Sequence, residues 1–233
     1  MSIEGRKLLI TGGTGALGRA VAAMALARGA AVAASYLLPA ECTAAEAAFD
    51  GRVVLVAADL ADEAQTMAAA DAAAGMLGGL DGVIAIAGGF DMGPVADVDG
   101  ARFDALLSTN ARSLYHTVRA TLPHLRAAGG GSIVTIGARP AVAGAADMAA
   151  YAASKSAVMS LTQSLAQELL PRKIRVNAVL PSIIDTPANR AAMPDADHGS
   201  WVTPEALARV ILFLTSAEAA AVSGALIPAY GHA

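Results

Sequence analysis

Lys7-Leu8-Leu9-Ile10-Thr11-Gly12-Gly13-Thr14-Gly15-Ala16-Leu17-Gly18 is the stretch whose reading decides the fold. A short apolar run ends in a glycine-rich turn, and the turn opens an alanine-rich segment that continues to about Arg28. Glycine lets the backbone turn tightly and approach a ligand closely. Unpaired N–H groups and the dipole at the start of the following helix favour a phosphate-like anion. A glycine triplet alone would be an ordinary turn. Placed between a strand and a helix at the head of the chain, it reads as a dinucleotide-binding βα unit. Gly12, Thr14, Gly15, Ala16, Leu17 and Gly18 are the expected contacts.

The pattern repeats outward from there. Lys7–Thr11, Ala31–Ser35, Val53–Ala57, Val83–Ala87, Ser132–Ile136, Ile174–Leu180 and Ala225–Ala229 read as strands, with helical segments between them. Strands such as Val53-Val54-Leu55-Val56 lack polar alternation, as suits a parallel sheet covered on both faces. Alternation sustained over the chain predicts a single-domain α/β Rossmann fold. The expected core is a doubly wound, mostly parallel, seven-stranded sheet with helices on both faces. No linker or repeat divides residues 1–233. The polar, Pro- and Asp-containing stretch 185–203 follows a strand directly and is the expected substrate lid.

Composition excludes several classes. With 16 basic and 20 acidic residues the net charge is −4, and no basic cluster could follow a nucleic-acid backbone. No run reaches the ~20 apolar residues of a membrane span, and Lys7–Ile10 is too short for a secretory signal, so a cytoplasmic location is expected. One cysteine, Cys42, cannot form an internal disulfide. His116, His124 and His198 lack metal-ligand spacing, so no metal is expected.

At the end of the second strand stand Ser35 and Tyr36, where an acidic residue would hold the ribose of NAD. Neither an acid nor an arginine is evident there, which tilts the expectation slightly toward NADP. Asp59-Leu60 ends the third strand; the carboxylate suits an adenine amino group or, equally, a helix cap. Ala87-Gly88 ends the fourth, small enough for a ribose to lie against the backbone or for a plain turn.

Tyr151-Ala152-Ala153-Ser154-Lys155 sets a phenol and an ammonium four apart, on one helix face. The cation is expected to lower the phenol pKa from about 10, making a general acid. With the glycine turn, Asp59-Leu60, Ala87-Gly88, Ser108-Thr109-Asn110-Ala111, Arg175-Val176-Asn177 and Pro181–Thr186, the whole chain resembles the short-chain dehydrogenase/reductase family. The resemblance implies an NAD(P)(H) cofactor, with Tyr151 as proton donor supported by Lys155, which also contacts the cofactor. It further implies that Asn110 holds a water linking Lys155 to solvent. Pro181, Ile184 and Thr186 would fix the nicotinamide, and assembly as a homodimer or homotetramer would follow. Small residues along the Tyr151–Leu170 helix (Ala152, Ala153, Ser156, Ala157, Ser160) suit such assembly.

The departures are informative. Thirteen residues before the tyrosine, where the family carries a catalytic serine, stands Ala138. Such a substrate-oriented donor can be worth roughly 10²–10³ in rate. The branch that keeps the pair but lacks the serine is similar to the dihydropteridine reductases. That finer likeness rests on Gly15–Gly18, Ala87–Phe90, and Ala178–Pro181 continuing through Asp185–Arg190 and Met193–Asp197 to Trp201. The expected reaction is therefore hydride transfer to a conjugated imine or carbonyl, a quinonoid dihydropterin for example. The alternatives are a general ketoreductase of the 3-oxoacyl type, with water or Thr135 replacing the hydroxyl, and an impaired dinucleotide-binding sensor. Arg139, beside Ala138, would orient a polar substrate or be a solvated loop residue; Trp201 would stack on a flat ring or anchor the lid.

Overall fold

The computed structural model describes residues 2–232. Seven strands, β1 (Lys7–Thr11), β2 (Ala31–Tyr36), β3 (Val53–Ala57), β4 (Gly82–Ala85), β5 (Gly131–Ile136), β6 (Ile174–Pro181) and β7 (Leu226–Ala229), form one sheet. Its order is β3-β2-β1-β4-β5-β6-β7, and every neighbouring pair is parallel. The mostly parallel sheet expected from sequence is thus wholly parallel among the described residues. Nine helices occur among those residues: α1 (Ala16–Ala27), α2 (Pro39–Phe49), α3 (Glu63–Leu77), α4 (Gly100–Leu107), α5 (Ser113–Ala127), α6 (Pro140–Ala143), α7 (Ala149–Leu169), α8 (Pro187–Ala192) and α9 (Pro204–Thr215).

Successive strand residues point to opposite faces. Leu8 and Ile10, with Val32, Ala34, Ile84, Val134 and Val179, pack beneath Leu17, Val21 and Ala25 of α1 and Leu207, Ile211 and Leu212 of α9. Leu9 and Ala33 face the other way, onto Ala69, Ala73 and Ala74 of α3. Further along that second face, Val83, Ile133 and Val176 meet Leu114, Val118 and Leu125 of α5 and Val158, Ala166 and Leu169 of α7. Both strand faces are buried, which explains the missing polar alternation. Each fully buried Leu or Ile contributes roughly 1.5–3 kcal/mol. A charge at Ile10, which has no accessible surface, would disrupt the α1 and α9 layer.

Strand order reverses between β1 and β4, so the chain leaves these neighbours toward opposite ends of the sheet and a crevice opens at their carboxyl ends. No helix among the described residues is long and apolar enough to cross a membrane, and none of their His, Cys, Asp and Glu side chains cluster as a metal site would require.

Candidate active site

The crevice is a cleft of ≈ 480 Å³. Its floor is the turn after β1. Gly12 adopts φ 63°, and a Cβ there would lie 2.9 Å from the Cα and N of Ala87, so only glycine lets this turn rest on the end of β4. A side chain at Gly18 would run into the Gly12 carbonyl. The two glycines fold the turn back against α1, and α1 starts with no side-chain cap, leaving its first N–H groups facing the cleft. Gly12, Thr14, Gly15, Ala16, Leu17 and Gly18 all line it. A backbone cradle at a helix N-terminus fits a dinucleotide pyrophosphate.

The adenosine end combines agreement and correction. Tyr36, Asp59, Leu60, Ala87 and Gly88 line the cleft as expected. Ser35 does not; it is buried, and its Oγ accepts the Gly12 N–H at 3.2 Å, so it braces the turn from behind. The α3 cap is Asp62, which accepts from the Gln65 N–H at 3.0 Å, while Asp59 takes only the Ala61 N–H at 2.9 Å and keeps its carboxylate exposed on the cleft. No acid stands at the end of β2 itself, as read, but one reaches it from the next helix. Glu41, in the first turn of α2, lines the cleft. Its Oε2 accepts the Leu37 and Leu38 N–H groups at 3.0 and 3.2 Å, and the Thr14 hydroxyl lies 3.5 Å away. Glu41 and Asp59 are the charged residues of the cleft wall, and no Lys or Arg joins them there. Sequence reading missed Glu41 because it scanned the strand end, whereas the helix start folds back over it.

At the nicotinamide end, Ile184 and Thr186 line the cleft, and Thr186 also caps α8 by accepting the Asn189 N–H at 3.2 Å. Pro181 is buried outside the wall; its carbonyl accepts the Arg139 N–H at 3.0 Å and ties β6 to the chain after β5. The stretch 185–203, expected to be a lid, contains α8 and a short 3₁₀ turn at His198–Ser200. Trp201 is only 6% exposed and its ring lies 4.5 Å from that of His198. Its burial fits the anchoring role, one of the two open for it, and leaves little of the ring for stacking on a ligand. Exposed Arg139 lies over the Tyr230 ring at 5.1 Å.

The chemical corner sits beside Gly88. Lys155 is buried and donates to the Ile136 carbonyl at 3.0 Å, and a Cβ at Gly88 would come within 3.2 Å of its Nζ. Tyr151, one turn earlier on α7, makes a T-shaped contact with Phe90, ring centroids 4.9 Å apart and planes 75° apart. Between α4 and α5 the helix widens into a π-turn at Ser108–Arg112, a distortion often found at functional sites. There buried Asn110 accepts the Gly89 N–H and donates to the Gly89 carbonyl, both at 3.0 Å, and reaches Ser154 Oγ at 3.0 Å. Asn110 therefore locks the end of β4 to α7 through its side chain; that lock, and Ser154 within it, were not read from sequence.

Burial overrides the expected electrostatics of the pair. Desolvation pushes Tyr151 up to about 12 and Lys155 down to about 8, since a buried site disfavours whichever form is charged. The expectation that the cation lowers the phenol is thereby corrected for the protein without ligand. At neutral pH the phenol holds its proton and the lysine remains largely ammonium, protonation states that proton donation by the phenol would require.

Ala138 is 3% exposed. Thr135 cannot supply the missing hydroxyl: it is fully buried, with its Oγ1 2.7 Å from Thr162 Oγ1 and 3.4 Å from the Asn177 carbonyl.

Residues 6–197 match the family model described as short chain dehydrogenase. The chain is 33% identical to 2-(S)-hydroxypropyl-CoM dehydrogenase 3 of Xanthobacter autotrophicus over 96% of its own length and 94% of the relative's. Among solved structures, it superposes on a short-chain type dehydrogenase/reductase from Mycobacterium ulcerans with TM-score 0.94 and 28% identity, covering 100% of this chain and 90% of that one. It also superposes on a 3-ketoacyl-(acyl-carrier-protein) reductase from Brucella melitensis complexed with NADH, with TM-score 0.90 and 29% identity, covering 99% and 98%.

Proposed function

This chain belongs to the short chain dehydrogenase family and is an NAD(P)-dependent oxidoreductase, and from that premise we propose that it reduces a flat, conjugated imine or carbonyl, such as a quinonoid dihydropterin. The nicotinamide, when bound, supplies the hydride. Tyr151 donates a proton to the substrate heteroatom as negative charge gathers there, and the Lys155 ammonium stabilises the phenolate left behind. The observation that carries the reading is the buried methyl of Ala138. With Thr135 engaged elsewhere, no side chain at that point polarises a simple ketone, whereas a conjugated system spreads the incoming charge itself. The test is cofactor oxidation with quinonoid dihydropterin beside simple ketones. Rapid turnover of the pterin that disappears in Tyr151→Phe is expected, and turnover of ketones alone would overturn it. The ketoreductase reading, which the likeness to the Brucella melitensis enzyme favours, would then stand.

For the cofactor, Glu41 reverses the lean drawn from sequence. A carboxylate held by two backbone N–H groups, with Asp59 as the other charge of the wall, repels a 2′-phosphate and suits ribose hydroxyls. The nearest arginine of the turn, Arg19, is tied to the Thr14 carbonyl at 2.7 Å and does not line the cleft. We assign NAD(H): NADH should bind at least about tenfold more tightly than NADPH, a gap of about 1.4 kcal/mol, and Glu41→Arg should close it. Tighter NADPH binding by the unaltered protein would overturn the assignment. The small residues of α7, of which Ala153, Ser156 and Ser160 are exposed, support a homo-oligomer, and light scattering at the monomer mass would count against it.

A further inference from the structure

Phe90 plays no part in the chemistry above, yet the structure holds it firmly in an unfavourable place. It is 59% exposed, while its ring makes a T-shaped contact with that of Tyr151, centroids 4.9 Å apart. An apolar ring left mostly in water gains nothing for folding at that spot. A loop of that length would ordinarily let such a side chain turn inward.

Here the backbone on both sides is clamped. Immediately before Phe90, both backbone groups of Gly89 are bonded to the Asn110 side chain at 3.0 Å. Immediately after it, the Asp91 carboxylate is held by both Nε and Nη2 of Arg102, at 2.7 and 2.6 Å. The same guanidinium also binds the Met92 and Asp97 carbonyls at 3.2 and 2.9 Å. Gly93 then donates to the Asp147 carbonyl at 2.7 Å, fastening the loop to the approach of α7 and hence to Tyr151. A two-oxygen Arg–carboxylate pair fixes geometry as well as position. Phe90 is therefore presented ready-made beside the reacting hydroxyl.

We propose that Phe90 is a specificity-determining residue: its exposed ring is the platform on which a flat, unsaturated ring of the substrate packs so that the reducible bond meets the Tyr151 hydroxyl. The proposal rests on the reductase reading and deepens it. Where Ala138 offers no hydrogen bond to orient a carbonyl, aromatic packing against a clamped ring orients the whole conjugated system. Aromatic pairs favour edge-to-face or offset arrangements, and the T-shaped contact with Tyr151 leaves 59% of Phe90 exposed for a ligand.

The test compares affinities of the full-length, cofactor-loaded protein for two flat bicyclic probes, 7,8-dihydrobiopterin and 1,4-naphthoquinone, with those for cyclohexanone. KM is read where a probe turns over and Kd by titration where it does not. At least one bicyclic probe should be preferred over cyclohexanone by tenfold or more. Phe90→Leu should cut that preference about tenfold, and Phe90→Tyr should keep it. Unimpaired NADH binding by both variants checks that the loop is intact. A preference that is the same in Phe90→Leu, or absent in the unaltered protein, overturns the proposal. A Phe90-dependent preference for a probe that Tyr151→Phe still reduces at full rate would leave the platform standing and remove the proposed chemistry instead.

Discussion

The cofactor cleft and the chemical corner lie at the same edge of one sheet but are built by opposite means. The cleft is made mainly of backbone: glycines that admit no side chain and uncapped N–H groups at the start of α1, with Glu41 and Asp59 on its wall. The corner is made of side chains whose charges the fold opposes, with a lysine and a tyrosine both pushed by burial toward their neutral forms. On the proposed reading, binding depends mainly on shape, and chemistry on tolerated electrostatic cost. A change in the cleft should act through shape, and one in the corner through protons.

The sharpest break between the two is Tyr151→Phe, which removes one oxygen. We expect kcat to fall about 10²–10⁴-fold with NADH affinity nearly unchanged, measured by steady-state kinetics and cofactor fluorescence. Equal losses in both would mean that the corner also binds. Gly12→Val should do the converse: the left-handed backbone and the Ala87 contact make it destabilising by about 2 kcal/mol or more, with cofactor affinity falling alongside, as thermal melts with and without NADH would report.

Lys155→Met separates cost from use. The drop from 10.5 to about 8 corresponds to about 3 kcal/mol opposing the folded state at neutral pH. Because the folded pKa is the lower one, the penalty is complete below pH 8 and fades as pH rises toward 10.5. The variant should therefore lose activity yet melt higher, by about 1–3 kcal/mol at pH 7, with the advantage shrinking toward pH 10. A destabilised variant would show that the Ile136 contact outweighs desolvation. Ala138→Ser should raise kcat/KM on simple ketones about tenfold while changing turnover of conjugated substrates little. Smallest is the pH effect on the unaltered protein: reductive kcat should decline as pH rises from 7 and Lys155 loses its proton, by roughly twofold at pH 8.

The same contrast governs how much was legible in the sequence. Strands buried on both faces are continuous apolar runs, so the sheet could be read directly, and only its ends moved: β2 runs on to Tyr36, and β4 stops at Ala85. The glycine turn was legible because steric exclusion is a property of residue type. What escaped depends on distance in space. Glu41 reaches the cleft from a helix start, and Ser35 turns its hydroxyl inward to Gly12. The tyrosine pKa was expected to fall, because spacing shows the nearby cation but not the depth of burial.

The π-turn at Ser108–Arg112 carries a consequence for engineering by deletion. It houses one residue more than a regular helical turn, and that surplus sets the angular phase of everything on either side of it. Removing a single residue, Ala111 for instance, would let α4 and α5 merge into an unbroken helix and swing Asn110 by about 100° away from Gly89. Local helical regularity would improve, yet the clasp between the end of β4 and α7 would open. In this protein an indel of one codon is thus a rotation, and the site is tuned to a helix that is one residue out of step.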